Sequence, residues 1–150
     1  MILRRILTAT TLCLIASLAL AGEYFEKDGA ALRGYDPVSY FVAGKPQLGA
    51  SAHTFTYKGS TFRFASAQNR QLFVDNPEKY APQFGGYCAF GVSNGGYKVS
   101  TQPEAFAVVH GKLYLNYNTE VQKLWQKDIP GHITTAEKKW PEAAKTAPKD

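Results

Sequence analysis

The sequence has few of the residues that bind soft metals or form covalent cross-links. Its 150 residues include two cysteines, three histidines and one methionine. Two cysteines exclude a disulfide-dense scaffold and a zinc site of four thiolates. Charged residues make up only 19% of the chain, and the basic ones are scattered. Because a surface that follows phosphates needs clustered cations, we expect no binding of nucleic acid.

The one long apolar run lies at the start of the chain. Arg4 and Arg5 precede an uncharged stretch from Ile6 to Leu20, and the run closes on the small residues of Ala19-Leu20-Ala21. That stretch is shorter than the ~18–20 residues that a membrane-spanning helix needs. The pattern predicts a secretory signal peptide over residues 1–21, cleaved after Ala21. We therefore expect an exported protein, periplasmic or secreted, without a membrane span in the mature chain. An uncleaved anchor is the alternative.

Cleavage would change which chemistry is available. The mature chain of 129 residues would carry a formal charge of +3, with Cys88 as its only sulfur-containing residue. An intrachain disulfide is then impossible. A single cysteine in an exported protein is buried, intermolecular or reactive. A domain of this size can bury about two-thirds of its unfolded surface and needs no cross-link to fold.

Alternating apolar residues predict two β-hairpins. The first joins residues 53–57 to residues 61–64 across Lys58-Gly59-Ser60, and its core face is expected to carry two aromatic residues from each strand: Phe55, Tyr57, Phe62 and Phe64. The second joins residues 106–109 to 112–116 around His110-Gly111.

Short helices are expected between and after these hairpins. Ser66 is suited to cap a helix through Val74, Asn118 or Thr119 to cap a second, and Thr134 a last short one. The fold class is therefore α+β: a small single domain with antiparallel β-hairpins and several short helices.

The residues that could carry chemistry in the mature chain are Cys88 and three histidines, His53, His110 and His132. No nucleophile elbow, HExxH zinc motif, phosphate-binding loop or CxxC pair is present. Thiolate and imidazole are good ligands for copper or zinc, so Cys88 and His110, with His53 as a third ligand, are the candidate metal site.

Two other interpretations of Cys88 remain open. Cys88, His110 and Asn116 supply the residue types of a thiol hydrolase. A lone cysteine in a segment rich in glycine and aromatic residues also behaves as a small buried hydrophobic residue.

Several segments together resemble exported YHS domain-containing proteins. These segments are GYDPVSYF at 34–41, FRFAS at 62–66, NRQLFVDNPEKYAPQFGGYCAFGVS at 69–93 and KLYLNYN at 112–118. The resemblance implies a small α+β domain described as a metal-binding module and related to the TRASH-type metal-sensing domains. Together with the signal pattern, it divides the chain into a signal peptide at 1–21, a leader at 22–30, a YHS-like domain at 31–128, and a C-terminal helix and tail at 129–150.

The chain departs from the metal-associated members of that family at three positions. Those members carry a cysteine after the Asp-Pro-Val motif and two more around the strand-to-helix corner that follows. Here the three positions are occupied by Ser39, Ala65 and Asn69. None of these side chains replaces a thiolate as a soft-metal ligand.

The leading expectation is a non-enzymatic, exported YHS-like domain that binds or handles a soft metal, copper, through Cys88 and His110. One alternative is a metal-free binding or interaction module on the same scaffold, and another is a Cys88-dependent thiol enzyme. The expected ligand is a metal ion or a small molecule. The sequence names no protein partner.

Overall fold

The computed structural model describes residues 22–149, so the predicted signal peptide lies outside the described residues. The described chain forms three antiparallel strand pairs and six helices, which confirms the α+β class. The strands are β1 Glu26–Lys27, β2 Ala30–Ala31, β3 Ala50–Tyr57, β4 Ser60–Phe64, β5 Phe106–Val109 and β6 Lys112–Leu115. The helices are α1 Ser39–Val42, α2 Ala67–Asp75, α3 Pro77–Tyr80, α4 Ala89–Gly95, α5 Thr119–Trp125 and α6 Ile129–Ala143. Within residues 22–149 no helix has the length and apolarity needed to cross a bilayer.

Both predicted hairpins form with the expected turns. Phe55 lies opposite Phe62 in the β3–β4 pair, and Val109 lies opposite Lys112 in the β5–β6 pair. Period-2 alternation points the aromatic rings of β3 and β4 to one face, where they surround Phe73 of α2. The centroid of the Phe73 ring lies 4.9 to 6.2 Å from those of the four aromatic residues of the hairpin.

The helix boundaries follow from side-chain caps. The Ser66 hydroxyl accepts the N–H of Asn69 at 3.1 Å and begins α2, as predicted. Asn118 caps α5 in the same way. The last helix was expected to begin near Thr134, but Asp128 caps it and it begins at Ile129.

The buried residues form two clusters along the chain. The first is built mainly from residues 24–81 with Leu113 and Leu115 of β6, and the second from residues 84–143. Strand β6 faces both clusters, since Leu113 packs in the first and Tyr114 in the second, as the alternation of side chains along a strand requires. Helix α4 packs against α6 beside the second cluster.

The segment expected to lead into the domain is part of the core. Tyr24 and Phe25 are both buried. The N–H of Phe25 donates to the carbonyl of Gly85 at 2.7 Å, and the N–H of Glu23 donates to the carbonyl of Lys58. No alternation of apolar residues marks so short a strand pair as β1–β2 in the sequence.

Candidate functional site

The carboxyl group of Asp36 is the centre of a buried polar cluster. Its side chain is fully buried, and it accepts three N–H hydrogen bonds. Val38 N–H donates to Oδ1 at 2.8 Å, and Ala65 N–H and the Asn69 side-chain amide donate to Oδ2 at 2.9 and 2.6 Å. Backbone and side-chain donors of this kind compensate the cost of burying a carboxyl group. The cluster therefore joins the turn before α1, the end of β4 and the first turn of α2.

Around this carboxyl group the structure brings together the three positions at which the resemblance implies cysteines. The Ser39 hydroxyl donates to the Asp36 carbonyl at 2.7 Å and accepts the Gln47 N–H at 3.1 Å. The Asn69 amide is bound to the Asp36 carboxyl group, and Ala65 offers only a methyl group. These residues do not fit a soft-metal ion, because none supplies a sulfur ligand.

Tyr40 shares the buried surroundings of this cluster. Its hydroxyl donates to the carbonyl of Pro103 at 3.2 Å, and its ring lies 4.8 Å from that of Phe106. Burial, assisted by the charge of Glu104, raises the pKa of the Tyr40 hydroxyl well above its ordinary value. Tyr40 thus connects α1 to the chain that enters β5.

Cys88 is buried at the start of α4, where its side chain serves as the helix cap. Its relative exposure is 1%, and its Sγ accepts the N–H of Gly91 at 3.3 Å. Sγ also lies 3.7 Å from Oδ1 of Asn116, which accepts the N–H of Phe90 at 3.1 Å. The Asn116 side chain is fully buried, and its Nδ2 has no hydrogen-bond partner among the described residues.

A cavity of about 320 Å³ lies next to Cys88. Apart from the cysteine, its walls are aromatic, aliphatic or glycine residues: Phe90, Gly91, Tyr97, Val99, Tyr117 and Val121. No imidazole lines it. The cavity therefore brings no imidazole next to Cys88.

The hairpin register separates Cys88 from His110. Cys88 pairs with Leu115 in an isolated parallel bridge, at the end of β6 remote from the turn that holds His110. Leu115 lies three residues beyond Lys112, a distance of about 10 Å along a strand. His110 itself has a left-handed backbone with φ of 50° at the turn.

The other two histidines lie on different elements. His53 is on β3, where the register with β4 is irregular between Ala50 and Thr54. His132 on α6 contacts the Cys88-capped helix: its Nδ1 lies 3.0 Å from the Ser93 hydroxyl, and its ring stacks edge-on against Phe90 at 5.2 Å. Within residues 22–149 no group of three or more His, Cys, Asp or Glu side chains is placed to hold a metal ion.

Of the three residue types proposed for thiol chemistry, the structure brings Cys88 and Asn116 together and leaves His110 at the far end of the hairpin. The contact of Cys88 with Asn116 depends on the pairing of α4's start with β6, which no local sequence pattern predicts. The central position of Asp36 was likewise missed. The sequence signal at this position is Asp36-Pro37, a pair that indicates a local turn and not a buried carboxyl group.

Comparison with known families agrees with part of this picture. Residues 38–84 form a YHS domain. The match covers about a third of the chain, includes Ser39, Ala65 and Asn69, and ends before Cys88. It includes most of the first core cluster, whereas the second cluster lies beyond it except for Phe84. No curated protein and no solved structure shows significant similarity to the chain.

Proposed function

We propose that this protein is an exported, non-enzymatic binding module on a YHS scaffold, and that it works without a thiolate metal site. The observation that carries the proposal is the Asp36 cluster. The positions that would hold cysteines in metal-associated members carry Ser39, Ala65 and Asn69, and the last two contribute donors to a buried carboxyl group. Export rests on the signal pattern of residues 1–21.

The surroundings of Cys88 support the same proposal. A cysteine that caps a helix, is almost fully buried and faces an apolar cavity behaves as a small structural residue. Its burial also lowers its access to metal ions and to electrophiles. The copper site at Cys88 and His110, with His53, stays a prediction of the sequence, and the hairpin register argues against it.

A competition titration with Cu(I) tests the choice between these functions. The purified protein and its Cys88→Ala variant are titrated against a chromophoric Cu(I) chelator under reducing conditions. We expect both proteins to leave the metal with the chelator. Tight one-to-one binding that disappears in the Cys88→Ala variant would reject the proposal in favour of a copper-handling function.

The contact between Cys88 and Asn116 is the specific feature in favour of the thiol-enzyme alternative. A catalytic cysteine has a depressed pKa and reacts quickly with iodoacetamide at neutral pH. We expect Cys88 to react slowly in the folded protein and quickly after unfolding in urea. Fast alkylation of the folded protein would support an enzyme.

A further inference from the structure

A second cavity, here called the glutamate cleft, lies where the two core clusters meet. Its volume is about 330 Å³. The lining combines three acidic residues, Glu23, Glu78 and Glu137, with aromatic rings of both clusters, Tyr24, Tyr57, Phe84 and Trp140. Small-molecule sites occur preferentially in such crevices between packed units, and this volume lies at the lower end of their range of roughly 300–1,000 Å³.

The charge of the cleft is opposite to that of the whole protein. The chain carries a formal charge of +5, but the lining residues include three carboxylates and only one cation, Lys58. Lys58 pairs with Glu23 at 3.4 Å. Neither Glu78 nor Glu137 has an ion-pair partner within the part of the chain that the structure describes. The cleft therefore has an excess of negative charge that a bound cation would neutralise.

Tyr24 provides an observation that is independent of these carboxylates. The residue as a whole is 94% buried, since its relative exposure is 6%, and its hydroxyl makes no hydrogen bond with the described residues. Burial raises the pKa of this hydroxyl. The electrostatic effects of Glu23, Tyr57 and Glu78, which all line the cleft, raise it further. Tyr24 lines the cleft, so its unpaired hydroxyl is available to a ligand there.

The Lys58 ammonium group indicates which chemistry the cleft accepts. Its Nζ lies 5.5 Å from the centroid of the Tyr57 ring while it pairs with Glu23. A cation held between a carboxylate and an aromatic face is the arrangement that binds alkylammonium ligands. A metal ion fits less well, because the carboxylates share a cavity but do not form a three-ligand group among residues 22–149.

We propose that the glutamate cleft binds a small organic ammonium cation, held by Glu78, Glu137 and the face of Trp140, as Lys58 is held by Glu23 and Tyr57. This inference rests on the proposed binding function and names its ligand class. The Tyr24 hydroxyl would orient a polar group of the ligand. Because the carboxylates are exposed, affinity should fall as salt is added.

Choline and its uncharged carbon isostere, 3,3-dimethyl-1-butanol, test this directly, because they differ in charge but hardly in shape. Calorimetric titration of the purified protein should show choline binding at least tenfold more tightly than the isostere. Glu78→Gln and Glu137→Gln should each weaken choline binding about two- to fivefold. Trp140→Ala should weaken it about tenfold, the loss expected for one desolvated cation–π contact.

Glu120→Gln is the matched control, since Glu120 is an exposed glutamate on α5, outside the cleft. It should leave choline binding unchanged. Three results would each overturn the proposal. Choline and the isostere could bind equally, the control could lose as much choline affinity as the cleft variants, or choline could fail to bind at millimolar concentration. These outcomes leave the result of the Cu(I) titration untouched, so failure of the cleft and failure of the proposed function are distinguishable.

Discussion

Replacement of Asp36 by asparagine tests whether the buried cluster holds the YHS domain together. The carboxyl group accepts three N–H donors, at 2.6, 2.8 and 2.9 Å. Asparagine keeps one acceptor oxygen and turns an NH₂ group toward at least one of those donors. A hydrogen bond to a charged group contributes about 1.5–3 kcal/mol, and a buried donor left without a partner costs about 1–3 kcal/mol. We therefore expect the free energy of unfolding to fall by about 3 kcal/mol.

Urea unfolding followed by tryptophan fluorescence measures this loss, since Trp125 is fully buried and reports on the folded core. Asp75→Asn is the matched control. Asp75 is exposed, and among residues 22–149 its carboxylate accepts a hydrogen bond only from the Gln71 side-chain amide. Its replacement should change stability by less than about 0.5 kcal/mol. A loss below about 1 kcal/mol for Asp36→Asn would refute the reasoning, because the cluster would then contribute little.

Four further variants examine other parts of the structure. Burial raises the folded-state pKa of the Tyr24 and Tyr40 hydroxyls, so stability is full below the ordinary tyrosine pKa of about 10 and falls as pH rises above it. In urea unfolding at several pH values, the free energy of unfolding should fall less steeply with rising pH for Tyr40→Phe than for the wild type. Cys88→Ala removes the acceptor for the Gly91 N–H and should cost ~1–2 kcal/mol, whereas Cys88→Ser keeps a cap and should cost less. Phe73→Ala, which removes the ring at the centre of the first cluster, should cost about 3–5 kcal/mol by thermal or urea unfolding.

Local patterns were sufficient for much of the fold. Alternation along β3 and β4 identifies the hairpin because period 2 places its aromatic rings on one face. Ser66 and Asn118 identify helix starts because their side chains accept N–H groups one turn later. These features depend on neighbours within a few residues, which the sequence displays directly.

The parts that were missed depend on contacts between distant residues. Tyr24 donates its N–H to the hydroxyl of Ser60, and Phe25 donates its N–H to the carbonyl of Gly85, both far along the chain. Asp36 meets Asn69 only after β4 has returned beside it. Cys88 was recognised as chemically distinctive, but its partners depend on the pairing with Leu115. A single sequence does not record such pairings.

The most direct test of the central claim is a titration of the isotope-labelled protein with Cu(I), followed by amide NMR. Val38 and Ala65 donate their N–H groups to Asp36, so their signals report on the region where the metal-associated members carry cysteines. A module without a thiolate site predicts that both signals keep their positions up to one equivalent of metal. Saturable shifts of these two signals at one equivalent would contradict it.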